Sequence, residues 1–596
     1  PPAAARKFAE AAGRAGATLR FLDRNLIDAI WTDQPPPPTG AVHPHPDGLS
    51  GEGSAAKRAR VAATVAEAGA DAAVLTLPDS IAWLLNIRGD DVPRTPAPLA
   101  FAILNAGGAA ALFIDPDKIG ADPRALLGGA AAIAPPQHFG RAVPALAAPT
   151  ALVDPDSAPV WVVHRLEAAG AKVISRRDPC ILPKAVKNAV ELKGARAAHR
   201  RDGAAMASFL RWLDEAAPGG GLTETAVVRR LEAFRAETGR LRDIAFDTIC
   251  GAGADGAIVH YRVTRATDRA VVPGELLLVD SGAQYQDGTT DVTRTIAVGP
   301  VDPLARRLFT LVLKGMIAVS RARFPARTAG RELDPLARAA LWAAGYDYDH
   351  GTGHGVGSYL GVHEGPQSLS RRGAEPLVPG MILSNEPGVY LEGRFGIRIE
   401  NLLIVTPPQA IEAGERPMMG FETLTLVPID RRLIDVALLD AGERLWIDAY
   451  HARVRAEIGP LVDDATRGWL DAACAPLEGT EDETMLITIE PVEGVVVVRA
   501  GGAVLGETRA AVSVRVGDAA PILFIPPGDF EAAFLDRSET VADRAPFGAA
   551  THFHLALKSG PLADAAWAFL SPGQGAQAVS GWLTFDTERV AVERLG

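Results

Sequence analysis

The pattern of apolar and polar positions divides the chain into regions of different periodicity. A short helical pattern near the start, ARKFAEAAGRAGATL, is followed by PPPPTGAVHPHPDG at 35–48, which predicts a linker because proline blocks the hydrogen bonds of helices and sheets. From Ala55 to about Pro183, helical and strand-like patterns alternate, beginning with KRARVAATVAEAG, DAAVLTL, SIAWLLNIRG, AFAILN and AAALFID. This alternation predicts an α/β domain.

The remaining chain changes character twice. A helical pattern, AAHRRDGAAMASFLRWLDEA, opens a middle region that carries most of the unusual polar residues. After Glu478, short alternating strands such as LITIEPV, VVVVRA and GWLTF are separated by Gly, Pro and Asp turns, which predicts a small, mostly-β module. The fold class predicted for the whole chain is therefore α/β (α+β).

Composition narrows the possible functions. A chain of 596 residues exceeds what one hydrophobic core usually serves, so several domains are expected. The net charge of -12 and the pI near 5.6 argue against nucleic-acid or anionic-membrane partners, and we find no apolar run long enough for a membrane helix. Three scattered cysteines form neither a disulfide framework nor a metal knuckle, which favours a cytoplasmic protein.

Several acidic residues and one histidine of the middle region suit metal binding. Each lies in a strand-like or glycine-rich segment: Asp280, Asp291, His354, Glu386 and Glu400. Buried carboxylates that converge on one point repel each other unless cations neutralise them. Carboxylate oxygens with one imidazole suit a pair of hard or borderline divalent ions, so the pattern favours a two-metal hydrolase.

Spacing predicts which of these side chains share a face. His350 and His354 are four residues apart, but the glycines that alternate through this segment make a helix improbable, whereas an extended strand would put both on one face. Alone, each motif has a structural explanation: VDSG and NEPG as turns, His260 as a core histidine. The ordered set favours a site, whereas the pair His552 and His554 has no neighbouring ligand candidates and is interpreted as structural.

The motifs resemble those of a known family. AIVHYRVT, VDSGAQYQDGTTDVTRT, LKGMIAVSRARFP, HGTGHGVGSYLGVHEGP and FGIRIEN are similar to segments of the aminopeptidase P (Xaa-Pro aminopeptidase) family, in the creatinase/methionine-aminopeptidase "pita-bread" superfamily. The resemblance runs from about residue 20 to about residue 476 and is greatest to the long, cytosolic branch. VVRAGGAVLGETRAA, AAWAF and VSGWLTF resemble a β-rich family of unknown function, DUF427.

The resemblance implies a domain plan. Residues 1–48 would be the remnant of a first creatinase-like domain and a Pro-rich linker, and 49–183 a second creatinase-like α/β domain. Residues 184–477 would form the pita-bread catalytic domain, and 478–596 the small, mostly-β DUF427-like domain.

The resemblance also implies roles for individual residues. The metal ligands would be Asp280, Asp291, His354, Glu386 and Glu400, with Asp291 and Glu400 bridging two divalent ions. Mn²⁺ is the expected ion, and Co²⁺ or Zn²⁺ would substitute. The catalytic residues would be His260, His363 and Glu386. The substrate-binding residues would be His260, His350, His363, Tyr390 and Arg398.

The implied function is hydrolysis of the N-terminal residue from peptides with proline at position two. The partners would be proline-containing peptides, and a homodimer is compatible with the resemblance. Two alternatives stay open at this stage. The chain would be a prolidase or methionine-aminopeptidase-like exopeptidase with the same five ligands, or a non-catalytic peptide-binding pita-bread protein.

Overall fold

A computed structural model describes the chain apart from residues 23–24, 147–148, 478–486, 517–519, 545–546, 571, 573–575 and 596. Close contacts divide the chain into two units, Pro1–Leu477 and Glu478–Gly596. Helices and strands are mixed throughout the first unit and strands dominate the second, which confirms the predicted fold class. None of the helices in the described ranges has the length and apolar character that a bilayer crossing requires.

The N-terminal part of the first unit is a six-stranded sheet with helices packed on it. The strand order is β6-β5-β4-β2-β7-β8, in which β2–β4 and β4–β5 are antiparallel and the other neighbours are parallel. The elements are α1 (Pro2–Arg14), β1 (Val42–Pro44), α2 (Asp47–Ser50), α3 (Ser54–Glu67), β2 (Ala72–Leu75), α4 (Pro78–Leu85), β3 (Ile87–Gly89), β4 (Phe101–Asn105), β5 (Ala110–Phe113), α5 (Ala121–Gly128), β6 (Ala131–Ala134), α6 (Phe139–Ala142), β7 (Thr150–Val153), α7 (Val160–Ala168), β8 (Lys172–Ser175) and α8 (Ile181–Ala185).

Two sequence predictions fail in this part. The helix predicted over SIAWLLNIRG ends at Leu85, because Asn86 adopts a left-handed conformation with φ 52°. The residues that follow form β3, which pairs antiparallel with β1. The predicted linker at 35–48 therefore contains an ordered strand and the start of α2, and Val42 within it is buried. Pro44, the last residue of β1, is compatible with a short strand of a two-stranded sheet.

The middle part of the first unit consists of several small antiparallel sheets and several long helices. The sheets have the orders β10-β11-β14, β13-β12-β9, β15-β16, β17-β20-β21 and β18-β19. The elements are α9 (Ala189–Ala216), α10 (Glu224–Glu237), β9 (Leu241–Ile244), β10 (Ile249–Ala252), β11 (Leu276–Ser281), β12 (Ala283–Tyr285), β13 (Gly288–Thr289), β14 (Val292–Ala297), α11 (Pro303–Ser320), α12 (Gly330–Ala343), β15 (Gly353–His354), β16 (Ser368–Leu369), β17 (Ile382–Asn385), β18 (Gly388–Leu391), β19 (Phe395–Arg398), β20 (Asn401–Gln409), β21 (Met418–Thr423), α13 (Ala441–Ile458) and α14 (Asp464–Ala473).

Strand β11 shows how the alternation of side chains along a strand places an acidic residue, Asp280, on the face opposite an apolar cluster. Leu277 and Val279 pack into an apolar cluster with Phe209 of α9, so alternate residues face away from that cluster. The antiparallel register of β11 with β14 then places Asp280 opposite Thr293. Around His260, in contrast, the chain forms a turn that follows a short 3₁₀ helix, Gly253–Ala257, and Ile258 is exposed.

The second unit is built almost entirely of strands, as predicted, and has apolar cores of its own. The strands are β22 (Ile487–Pro491), β23 (Val495–Ala500), β24 (Ala503–Thr508), β25 (Val512–Val516), β26 (Ile522–Phe524), β27 (Leu535–Arg544), β28 (Gly548–Leu557), β29 (Gly560–Phe569), β30 (Leu583–Phe585) and β31 (Ala591–Leu595). On β28, the buried His552 stacks on Trp567 of β29, and His554 accepts a hydrogen bond from the backbone of Asp564 at 3.0 Å.

Candidate metal centre

The middle part of the first unit encloses a cavity of about 360 Å³ that is lined by nearly all the predicted site residues. Among its lining residues are Asp280, Asp291, His354, Glu386, Glu400, His260, His350, His363 and Arg398. They come from different elements: Asp280 from β11, His354 from β15, and Glu386 from the turn after β17. Tyr390 is not a lining residue, but it contacts two of them. Folding thus brings together residues that are far apart in the sequence.

Three of the predicted metal ligands form a tight group. Ligand atoms of Asp291, His354 and Glu400 all lie within 4.8 Å of one another. Nε2 of His354 lies 3.5 Å from Oδ2 of Asp291 and 3.3 Å from Oε1 of Glu386. Glu386, a fourth predicted ligand, therefore borders the group. Asp280 faces the same cavity from β11. This donor set of carboxylate oxygens and one imidazole suits divalent cations that prefer oxygen.

Carboxylate oxygens without a hydrogen-bond partner indicate that these residues fit a cation. Three buried carboxylate oxygens of the cavity-lining residues make no hydrogen bond within the described part of the chain: Asp280 Oδ1, Asp291 Oδ1 and Glu400 Oε1. Buried polar atoms in folded proteins nearly always have a partner, so each such oxygen requires an explanation. Cations in the cavity would satisfy all three at once, and the residues therefore fit a metal centre.

Further hydrogen bonds orient the ligand side chains. Nδ1 of His354 lies 3.0 Å from the carbonyl oxygen of Gly355 and donates to it, which leaves Nε2 as the metal-binding nitrogen. The hydroxyl of Ser384 accepts from the backbone N–H of His354 and donates to Oε1 of Glu386, each at 2.9 Å. The sequence analysis gave Ser384 no role. The available signal was that Ser384 lies two residues before Glu386 in an apolar, strand-like segment of the sequence, where alternate residues would share a face.

The carboxylates are electrostatically unfavourable without cations. Burial, and then the charges of Asp280 and Glu386, raise the pKa of Asp291 well above its usual range. Burial, and then the charge of Asp291, do the same to the pKa of Glu400. The fold therefore holds Asp291 and Glu400 where their ionised forms require added positive charge, which divalent cations would supply.

A chain of hydrogen bonds links Asp280 to His350. Nη2 of the buried Arg398 donates to Oδ2 of Asp280 at 2.6 Å, and Nη1 donates to the hydroxyl of Tyr390 at 2.8 Å. That hydroxyl lies 2.9 Å from Nε2 of His350, whose Nδ1 donates to the carbonyl oxygen of Gly351. Burial raises the pKa of Tyr390 to about 12 and lowers that of His350. The hydroxyl of Tyr390 therefore stays protonated and donates a hydrogen bond to Nε2 of a neutral His350.

The predicted shared strand face of His350 and His354 is wrong. Strand β15 contains only Gly353 and His354, and His350 lies in the irregular segment before it. Both imidazoles still border the cavity, and that of His350 also hydrogen-bonds the hydroxyl of Tyr390. The alternating glycines, which argued against a helix, equally permit an irregular path.

Two exposed histidines border the cavity opening. The ring of His363 lies 4.1 Å from that of His354, between ring centroids, with an interplanar angle of 65°. His260 is held by the next residue, because the hydroxyl of Tyr261 donates to Oε2 of the buried Glu224 at 3.0 Å. Within the described ranges, neither histidine side chain makes a hydrogen bond, so the ring nitrogens of both cavity-lining residues are available for a ligand.

Family models match nearly the whole chain. Residues 193–407 match metallopeptidase family M24, and 33–191 match the creatinase/prolidase N-terminal domain. Residues 417–477 match the C-terminal region of the M24 peptidases, and 488–596 match the domain of unknown function DUF427. Both resemblances predicted from the motifs are thereby confirmed.

Similar proteins match over most of the chain. A probable Xaa-Pro aminopeptidase P of Aspergillus fumigatus is 39% identical over 490 residues, which cover 79% of this chain and 75% of the relative. Aminopeptidase P2 of Arabidopsis thaliana is 40% identical over 489 residues, 76% of this chain and 69% of the relative. The solved X-prolyl aminopeptidase of Caenorhabditis elegans, a cytosolic enzyme with a di-nuclear active site, is 33% identical, with a TM-score of 0.75 and 79% coverage of both chains.

Proposed function

The chain belongs to the aminopeptidase P family of M24 metallopeptidases, and on that premise we propose that it removes the N-terminal residue from peptides whose second residue is proline. The observation that carries this proposal is the cluster of Asp291, His354 and Glu400 with unpartnered carboxylate oxygens beside two exposed histidines. The aminopeptidase P relatives support proline-containing peptides as substrates, and the cytosolic C. elegans enzyme supports a cytoplasmic location.

Asp280, Asp291, His354, Glu386 and Glu400 would hold two divalent ions, with Asp291 and Glu400 shared between them. The di-nuclear site of the C. elegans enzyme supports this number of ions. Mn²⁺ is our proposed ion, because four carboxylates and one imidazole favour an oxygen-seeking metal, and Co²⁺ or Zn²⁺ would substitute. When bound, the ions lower the pKa of water towards 7 and polarise the carbonyl group before proline.

Glu386 is our choice for the proton carrier. Its Oε1 already accepts from Ser384, so the carboxylate is fixed in direction while it faces the cavity. It would accept a proton from the attacking water and deliver it to the proline nitrogen as the C–N bond breaks, which converts the amide nitrogen into a neutral secondary amine. His260 and His363 would donate N–H groups to the oxyanion that develops on the carbonyl oxygen.

The remaining polar residues would bind the substrate from one side of the cavity. His350 and Arg398 line the cavity, and Tyr390 connects them through its hydroxyl. Arg398 also forms an ion pair with Asp280, with Nη2 at 2.6 Å from Oδ2. These fixed donors would position the peptide, with its free amino group near Asp280, so that cleavage is limited to the first bond.

Selectivity for proline follows from the cavity wall and from the chemistry of the ring. Phe246, Ile249 and Val259 give the cavity an apolar side. An Xaa-Pro amide has no N–H and a fixed φ, so an apolar wall can accept the ring without leaving a buried donor unpaired. A peptide with alanine at position two would bring an N–H that this wall does not satisfy.

Peptide hydrolysis by the Mn²⁺-loaded chain tests the proposal. An Xaa-Pro-Xaa tripeptide should lose its first residue, while the same peptide with Ala for Pro should be cleaved at least ~100-fold more slowly. Glu386→Gln should abolish turnover, and the same change at the exposed Glu392 serves as the matched control. Cleavage of Xaa-Pro dipeptides alone, or preference for Met-Ala peptides, would support prolidase or methionine-aminopeptidase activity. Metal-independent peptide binding without turnover would support a binding protein.

A further inference from the structure

The segment 355–364 carries His363 and forms a closed loop. The backbone N–H of Glu364 donates to the carbonyl oxygen of Gly355 at 2.8 Å, and that of Gly357 donates to Gly361 at 2.9 Å. No side-chain hydrogen bond of His363 occurs among the described residues, so its own contacts do little to fix the imidazole. The position of His363 over the cavity therefore depends on what holds the loop.

Arg88, from strand β3 of the N-terminal part, holds the tip of this loop. Its Nε donates to the carbonyl oxygen of Tyr359 at 2.6 Å, and its Nη2 donates to that of Ser358 at 3.0 Å. Nη1 donates to the carbonyl oxygen of Ile87, within β3 itself. Arg88 is 2% exposed, so water does not compete for these bonds. One planar guanidinium thus ties two successive loop carbonyls to β3.

The backbone at the loop tip adopts a conformation that requires stabilising contacts such as those from Arg88. Tyr359 has φ 50°, a left-handed conformation that a residue with a side chain adopts only at a cost. Its neighbour Leu360 is buried in the apolar core of the N-terminal part, and Nε2 of Gln284 donates to the carbonyl oxygen of Leu360 at 2.7 Å. The contacts of Leu360 and the bonds from Arg88 supply the stabilisation that keeps Tyr359 in this state.

The other end of the loop is fixed by buried ion pairs. Oε1 of Glu364 lies 2.9 Å from Nζ of Lys187, and Oε2 lies 2.9 Å from Nζ of Lys184. All three side chains are at most 2% exposed. Lys184 belongs to α8 and also pairs with Asp79 at the start of α4. His363 therefore lies between Glu364, fixed by these lysines, and the tip that Arg88 holds.

We propose that Arg88 is a positioning residue for the hydrolytic reaction: it fixes the loop 355–364 and thereby sets where the imidazole of His363 meets the substrate. This inference rests on the role proposed above for His363. The N-terminal part would then influence the reaction, because Arg88 binds main-chain carbonyl oxygens of the loop that holds His363. A lysine in place of Arg88 keeps the charge but cannot span two carbonyls with a rigid planar fork.

The Mn²⁺-loaded full chain with Arg88→Lys tests the proposal. Because a displacement of about 1 Å in a group that meets the transition state can cost ~100-fold in rate, we expect kcat on the Xaa-Pro-Xaa tripeptide to fall about 10- to 100-fold. Bound Mn²⁺ should stay at the wild-type level. The reciprocal substitution Lys118→Arg is the control, because Lys118 is also a buried cation of the N-terminal part but pairs with Asp91 and not with a residue of the loop. Lys118→Arg should leave kcat within about twofold of wild type, because a substitution that does not touch the loop should have only a small effect.

A double-mutant cycle separates positioning from general loss of structure. In a His363→Ala background, Arg88→Lys should lower kcat by less than about twofold, because the group that it positions is absent. Tyr359→Gly tests the loop from its own side. Glycine tolerates φ 50°, so the chain should fold, yet the looser tip should also lower kcat by roughly tenfold.

The outcomes are distinct. A wild-type chain that does not cleave the tripeptide would overturn the proposed function itself. A wild-type chain that does cleave it, with normal kcat in both Arg88→Lys and Tyr359→Gly, would overturn the positioning role alone. Fully additive losses in the cycle would also overturn it, because Arg88 would then act through some other group.

Discussion

The hydroxyl of Thr293 donates to Oε2 of Glu400 at 2.8 Å, while Oε1 of Glu400 has no hydrogen-bond partner in the described part of the chain. One oxygen of this carboxylate is thus fixed by the protein, and the other is left for a cation. Thr293 lies on β14, two residues after Asp291, so one short segment supplies a proposed ligand and the donor that orients another. The centre therefore depends on a neutral hydroxyl as well as on the charged ligands.

Thr293→Val should weaken Mn²⁺ binding by roughly 10- to 100-fold, because valine matches the shape of threonine but cannot donate to Glu400. Titration of the metal-free chain with Mn²⁺, followed by calorimetry, measures this directly. Thr293→Ser is the matched control and should retain most of the affinity. Equal affinities in all three proteins would mean that the hydroxyl does not orient the ligand.

Glu400→Gln should separate metal binding from stability. The variant should lose bound Mn²⁺ and turnover, because a proposed bridging carboxylate is gone. After chelation, however, its Tm should equal or exceed that of the chelated wild type, since burial and Asp291 make the charge of Glu400 unfavourable without cations. Thermal unfolding with and without Mn²⁺ compares the two proteins. A rise in Tm on adding Mn²⁺ that equals the wild-type rise would contradict the assignment.

The sequence predicted the chemistry of the site better than its geometry. The ligand candidates could be read from residue type, because buried acids and a histidine in an ordered set have few other uses. The contacts of Arg398 with Tyr390, and of Arg88 with the loop, could not be read in this way. They join residues far apart in the sequence, and nothing in the local pattern of β3 indicates that its arginine faces a distant loop. Tertiary packing decides such pairs.

The two failed element predictions share a cause. SIAWLLNIRG is apolar enough for a helix or a buried strand, and its periodicity does not show where one becomes the other at Asn86. The proline-flanked segment at 42–44 pairs with the same short strand, so misjudging one hid the other. Both errors concern β3, the strand that carries Arg88.

Asp178→Asn should stabilise the chain at neutral pH. Burial raises the pKa of Asp178 to about 6, and Oδ2 has no hydrogen-bond partner among the described residues, while Oδ1 accepts from the backbone N–H of Cys180. The folded chain thus holds a proton that the unfolded chain releases near pH 4, so the contribution of this group is greatest below that pH and is lost as pH rises through 6. Asparagine keeps the bond to Cys180 and removes the charge. The free energy of unfolding should therefore favour the variant by up to about 3 kcal/mol at pH 7.5.

Urea unfolding at pH 4.5 and 7.5 measures this dependence, with the same change at the exposed Asp117 as the control for buffer effects. The difference between variant and wild type should grow with pH. The negative charge of Asp79 adds to the rise of the pKa of Asp178 that burial causes. A variant that loses stability more at pH 7.5 than at pH 4.5 would show that the buried carboxylate is stabilising when charged.

A chain that ends at Leu477 should remain an active, metal-loaded peptidase. The proposed ligands and both cavity histidines lie before residue 401, and each unit has apolar cores of its own, so each should fold without the other. We expect kcat and KM for a tripeptide and for a longer Xaa-Pro peptide to stay within about twofold of those of the full chain, the range of a change outside the site. The control is residues 487–596 alone, which should unfold in a single cooperative transition. A raised KM for the longer peptide only would instead assign the second unit a part in holding the substrate beyond proline.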